Sequence, residues 1–178
     1  MHVPVPAGSE LVADADAVDA ALDRLAATLQ PEVDAGDCVL LAVLLGGMIP
    51  AARLAGRLRG DFLLDYCQVT RYRGGRQGGE LDWLQPPQAD LRGRSVLVVD
   101  DIYDEGITLD FVAAECRRRG ASRVLTAVLA HKKTGRMSLK GPDHVGLEVP
   151  DRYVFGCGMD LAHRWRHLPA IYAAKDGD

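Results

Sequence analysis

No two of the four cysteines, Cys38, Cys67, Cys116 and Cys157, stand in CxxC spacing, which argues against a zinc site or a dithiol redox motif. Three of them sit in apolar or helical surroundings, and all four read as reduced packing residues. That pattern fits a reducing cytoplasm. No apolar run approaches the ~20 residues that a membrane helix needs. Residues 1–16 carry Asp and Glu and lack a basic-then-apolar pattern, so no signal peptide is expected. Positive charge is not in excess: 21 Lys and Arg stand against 25 Asp and Glu, a net charge of −4. Nothing global therefore favours nucleic acid or an anionic membrane. Internal repeats and low-complexity segments are also missing. What is present is 178 residues, 48% apolar and 26% charged, enough for one domain with a sizeable core and too few for two comfortable ones.

Apolar spacing gives the elements. Val18, Leu22, Leu25 and Leu29 recur at helical spacing from Ala15 to Leu29, with Pro31 and Gly36 expected to end that helix. CVLLAVLL, residues 38–45, is a continuous apolar run, as expected of a strand covered on both faces. Gly46-Gly47 breaks it, and residues 48–59 read as a helix with Leu54 and Leu58 on one face. Phe62 to Val69 reads as a strand. RYRGGRQGGE, residues 71–80, has four glycines and three arginines and reads as a loop. Leu81 to Leu84 reads as a short strand of a mobile flap. A strand over 96–99, a helix over 108–119 and a strand over 123–130 follow. The tail carries short runs near Val145–Val149, Tyr153–Phe155 and Ala170–Ala174. Strands that alternate with helices predict a parallel α/β sheet with right-handed crossovers. Such sheets bind ligands at the carboxyl ends of their strands, where Gly46-Gly47, Asp100–Thr108 and His131–Thr134 all fall.

The most informative stretch is VLVVDDIYDEGITL, residues 96–109. Four apolar residues, Val96 to Val99, lead into two adjacent carboxylates, Asp100 and Asp101. Asp104, a turn at Gly106, a hydroxyl at Thr108 and the start of an amphipathic helix follow. A strand that ends in a Gly-containing loop and feeds a helix is a phosphate cradle, because backbone N–H groups converge there and the helix N-terminus adds partial positive charge. The paired acids suit ribose hydroxyls or a hard cation. Asp104 also stands where a helix N-cap is favoured.

This stretch resembles the phosphoribosyl pyrophosphate (PRPP) binding motif of type I phosphoribosyltransferases, which also occurs in PRPP synthases and non-catalytic regulators. LAVLLGGMIPAARLAGRL, residues 41–58, the Lys132-Lys133-Thr134 stretch, and DHVGLEVPDRYVFGCGMDLAHRWRHLP, residues 143–169, resemble hypoxanthine-guanine phosphoribosyltransferases. Together they cover roughly residues 38–174. The resemblance implies an α/β fold with a central mostly parallel sheet flanked by helices, a flexible active-site loop and a small hood. The hood would come from the N-terminal segment and the region from about 140 to 178, all within one domain spanning 1–178. It implies transfer of the 5-phosphoribosyl group from PRPP to hypoxanthine or guanine, giving IMP or GMP and pyrophosphate, with Mg2+. It further implies a cytoplasmic homodimer or homotetramer that engages neither nucleic acid nor membrane.

Residue by residue, the resemblance places Asp100 and Asp101 on the ribose hydroxyls, directly or through Mg2+. Asp104 would exchange a proton with purine N7. Glu105, Gly106, Ile107 and Thr108 would wrap the 5′-phosphate. Lys132 would hydrogen-bond purine O6 and so select 6-oxopurines, since the 6-amino group of adenine is itself a donor. Tyr153 would stack on the base and Val154 would offer its backbone C=O. Asp160, beside the base, would take a second Mg2+, and Leu45, Gly46 and Arg166 would meet the pyrophosphate. Arg71, Tyr72, Arg73 and Arg76 lie on the loop that would close over the reaction. Three positions depart from the pattern. Glu105 stands where many relatives carry Thr or Ser, Arg71 where Ser is expected, and Leu45 where Lys or Arg is common. A non-proline cis peptide is a family feature of the loop after residue 44. A xanthine preference and a PRPP-sensing regulator are the alternative readings.

Overall fold

The computed structural model describes residues 5–71, 81–133 and 141–175. Its centre is a six-stranded sheet of β2 (Cys38–Leu44), β3 (Phe62–Arg71), β4 (Leu81–Gln85), β5 (Ser95–Tyr103), β6 (Arg123–Lys132) and β7 (His144–Val149), in the order β4-β3-β2-β5-β6-β7. Every pairing is parallel except that of β3 with β4. β1 (Glu10–Ala13), β9 (Ile171–Ala173) and β8 (Val154–Phe155) form a second, antiparallel sheet of three strands. β7 lies inside the span expected to form the hood, yet it pairs with β6 in the central sheet.

The continuous apolar runs are explained by cover on both faces. Leu40, Ala42, Leu97, Val99, Ala127 and Leu129 pack on one side with α1 (Ala15–Asp34) and α2 (Met48–Ala55). Val39, Leu41, Val43, Val96, Val98 and Val128 pack on the other with α3 (Ile107–Arg118). Successive strand residues alternate faces, so a run such as Val39–Val43 fills both cores. On α3 the buried residues Leu109, Val112, Ala113 and Cys116 keep helical spacing. All four cysteines are free and buried. Burial pushes the thiols of Cys38 and Cys116 up to about 11 and raises those of Cys67 and Cys157 as well.

Several boundaries differ from expectation. Helix α1 does not stop before Pro31 but runs through it to Asp34. Proline removes one N–H, the one that would reach the exposed Ala27 carbonyl, and burial of Leu29 and Val33 holds the last turn together. Its other end is capped by the Asp14 carboxylate, which accepts from Ala17 N at 2.8 Å. Helix α2 ends at Ala55, not at residue 59, because Gly56 caps it and Arg57 turns back to ion pairs with Asp19 and Asp23. Strand β5 is the consequential case. It does not end at Val99: pairing with β6 continues through Asp100↔Val128, Ile102↔Ala130 and Tyr103↔His131. The two acids are therefore part of the strand.

Connections leave β2 toward β3 and leave β5 toward β6, in opposite directions across the sheet. The crevice between the carboxyl ends of β2 and β5 is thus a topological switch point, where open α/β sheets bind ligands.

Candidate active site

Two adjoining clefts open at that crevice. One of about 320 Å³ is lined by Gly46, Asp101, Ile102, Asp104, Lys132, Tyr153, Val154, Met159, Asp160 and Arg166. The other, about 280 Å³, is lined by Asp100 to Ile102 and Asp104 to Leu109. Asp101, Ile102 and Asp104 form the wall they share.

Asp100 and Asp101 stand side by side in β5, and both line the second cleft. Asp101 is 8% exposed and accepts from Ile102 N at 2.7 Å, and Arg166 Nη1 lies 3.9 Å from its other oxygen. Asp100 accepts from Asp101 N at 2.9 Å. Burial raises the Asp100 carboxyl well above the ordinary carboxylate range, and the adjacent Asp101 charge raises it further. Burial raises Asp101 too, against the pull of the Ile102 N–H. Close packing accounts for that burial. A Cβ at Gly46 would fall inside the Asp101 carboxylate, and one at Gly158 would overlap the Gly46 carbonyl and stand 3.0 Å from Asp101 Cβ.

Lys132, the last residue of β6, donates through Nζ to Oδ2 of Asp104, one step beyond β5, at 2.7 Å. The ammonium side chain is 14% exposed and the carboxylate side chain 46%. The residues expected to meet purine O6 and N7 thus meet each other. Asp104 does not cap α3: the cap position is Gly106, at φ 79°, with no side-chain capping bond.

Beyond β8, two tight turns follow one another. Cys157 and Gly158 sit at positive φ between the paired residues Gly156 and Met159, and Ala162 and His163 do so between Leu161 and Arg164. Positive φ at both central residues is what a two-residue hairpin turn requires. Met159 and Asp160 stand between these turns and are presented to the cleft. Asp160 accepts from Arg166 Nη2 at 2.6 Å and His163 N at 2.8 Å, while Arg166 Nη1 donates to Gly158 O at 2.6 Å. Arg166 is in a loop and not on a helix surface.

The structure thus brings Asp100, Asp101, Asp104, Gly46, Lys132, Val154, Asp160 and Arg166 to one place, with Glu105, Gly106, Ile107 and Thr108 around the second cleft. Tyr153 also lines the first cleft and is 52% exposed, so it is not a core residue, whereas the Val154 side chain is buried in the core. Leu45 lines neither cleft; it is 50% exposed and joined to Leu44 by a cis peptide bond. Arg71 ends β3, and Tyr72, Arg73, Arg76 and Thr134 lie outside the described residues. Sequence reasoning missed Met159 and Ile102 as cleft residues. The Gly-Cys-Gly of residues 156–158 was the available signal for the first turn.

A divalent cation fits this acid set. Desolvation raises both neighbouring carboxyls, the charge of Asp101 raises Asp100 further, and the Arg166 guanidinium lies 3.9 Å from Asp101. Among the described residues no group of three or more His, Cys, Asp or Glu could hold a metal alone. Mg2+ suits such a place, since it binds through one or two carboxylates and completes its shell with water and substrate phosphates.

The family model described as phosphoribosyl transferase domain matches residues 10–164. The chain is 31% identical to the hypoxanthine-guanine phosphoribosyltransferase of Bacillus subtilis (strain 168) over 85% of each chain. It is 30% identical to the bifunctional protein TilS/HprT of Listeria innocua, covering 90% of this chain and only 25% of that protein. A solved hypoxanthine-guanine-xanthine phosphoribosyltransferase superposes with a TM-score of 0.84 at 26% identity, covering 94% of this chain and 97% of the other. On the sheet order, the acid-lined crevice and these likenesses together, the chain belongs to the phosphoribosyl transferase family, among its hypoxanthine-guanine members.

Proposed function

We propose that the chain transfers the 5-phosphoribosyl group from PRPP to hypoxanthine or guanine, forming IMP or GMP and pyrophosphate in purine salvage. The observation that supports this most is the Asp104–Lys132 pair at 2.7 Å, set between the loop of residues 104–108 and the exposed ring of Tyr153. Charge develops in two places as the bond to pyrophosphate breaks: positive on the ribose ring and negative on the leaving group. Fixed carboxylates and cations at those places stabilise the transition state more than the ground state.

In this reading Asp100 and Asp101 grip the ribose hydroxyls. Residues Glu105 to Thr108 cradle the 5′-phosphate with backbone N–H groups and the Thr108 hydroxyl. Asp104 takes up the proton of purine N7, and Lys132 leaves Asp104 to donate to O6. Tyr153 covers one face of the base, and Met159 lines the same cleft. Arg166 and the Gly46 backbone receive the pyrophosphate. Asp100 and Asp101 would hold one Mg2+ and Asp160 a second, and the metal supplies Lewis-acid stabilisation of the leaving pyrophosphate when bound. The whole chain acts as one domain, with the β1-β9-β8 sheet as the hood. We take it to be cytoplasmic, in keeping with four free buried thiols, and to assemble as a homodimer or homotetramer. Exposed apolar side chains on β3 and at the start of α2, namely Leu63, Leu64, Tyr66 and Met48, suit such assembly.

The test is direct. Purified protein with PRPP and Mg2+ is expected to make IMP from hypoxanthine and GMP from guanine, with adenine inert and xanthine ranked alongside. Chelation with EDTA is expected to lower turnover at least about 100-fold, in line with the several kcal/mol a Lewis acid supplies. Absence of both nucleotides with Mg2+ present would overturn the proposal.

A further inference from the structure

Tyr103, the last residue of β5, is 1% exposed and packs among Val98, Leu109 and Val112. Three residues on, the chain folds back over it. Gly106, at φ 79°, lies so close that a Cβ there would overlap the Tyr103 hydroxyl and stand 2.6 Å from Cε2. The glycine backbone therefore rests on the phenol ring. The same ring meets His131, its register partner on β6, edge-on, with centroids 5.6 Å apart and planes at 71°. One residue further along each strand, Asp104 and Lys132 form their ion pair. The ring is thus a wedge between the end of β5 and the first turn of α3.

We propose that Tyr103 is a positioning residue for the phosphate cradle: its planar ring sets the height of the Gly106 turn, and so the aim of the N–H groups of residues 105–108. The inference rests on the PRPP-dependent reading of the site. A branched aliphatic side chain of smaller span lets the turn sink, because Gly106 then has no flat surface beneath it. Lys132 is held by its pairing with Val149 of β7, and Asp104 by its ion pair with Lys132, so base recognition does not depend on the ring.

Tyr103→Leu is therefore expected to raise KM for PRPP at least about tenfold while KM for hypoxanthine stays within about twofold. Tyr103→Phe, which keeps the ring, is expected to bring KM for PRPP back to within about threefold of the unsubstituted protein. Calorimetric titration with PRPP in the presence of Mg2+ accompanies the kinetics. An unchanged PRPP constant in Tyr103→Leu overturns the proposal. So does a parallel rise in both constants, the mark of a generally loosened domain, or a Phe variant as impaired as the Leu variant. A chain that binds PRPP yet makes no nucleotide overturns the proposed function alone, and the Tyr103 comparison is then read from PRPP affinity.

Discussion

Asp104→Ala is expected to lower kcat about 10²- to 10⁴-fold, the range a positioned proton-transfer group supplies, with little loss of PRPP affinity. The geometry makes this a two-part experiment. Asp104 is also the partner of Lys132, whose side chain is only 14% exposed. Removing the carboxylate leaves a largely buried ammonium without its partner, so alanine also lowers stability. Asp104→Asn separates the effects. The amide oxygen still accepts from Lys132 Nζ but takes up no proton at purine N7. The expected pattern is a similar fall in kcat for Asn and Ala, with the melting temperature lowered mainly in Ala. Equal losses of turnover and PRPP binding in both variants would mean that Asp104 only holds the loop.

The second large effect is expected at Gly158. Its φ of 108° is strained for any residue with a Cβ, and that Cβ would overlap the Gly46 carbonyl, a backbone atom that cannot swing aside. Gly158→Ala must push apart the loop after β2 and the turn that presents Met159 and Asp160. The backbone strain alone costs about 1–3 kcal/mol. Activity is expected to fall further than stability explains, because a displacement of about 1 Å at a reacting centre can cost about 10²-fold. Assay well below the melting temperature, where the variant is folded, isolates the geometric part. Near-normal kcat/KM under those conditions would show that the loop and the turn need not meet so closely.

The fold was legible where apolar periodicity was unambiguous. The double-faced runs of β2 and β6 and the helical spacing on α3 each called for one element type, and each formed it. The boundaries were not legible, for a physical reason visible at β5. Asp100 and Asp101 look like the end of a strand by hydropathy, but hydrogen bonding to β6 carries the strand past them, and local sequence does not encode a partner 28 residues away. Pro31 misled in the same way, since packing of Val33 outweighs one lost hydrogen bond. At the site, the acid run of residues 100–104 and the glycine turn after it announced themselves. Met159 did not, because an isolated methionine reads as core until the turns on either side are seen to present it. Nor did the Asp104–Lys132 pair, which depends on the register of two strands.

The burial of all four thiols has a consequence for handling the protein. An alkylating reagent finds no accessible sulfur in the native state, and the raised pKa of each cysteine leaves almost no nucleophilic thiolate near neutral pH. Modification then proceeds only through opening of the structure. Cys67 and Cys116 lie with the α3 core, and Cys38 and Cys157 with the α1–α2 core. Labelling rates at the two pairs therefore clock how often each side of the sheet is uncovered, and whether the two sides open together.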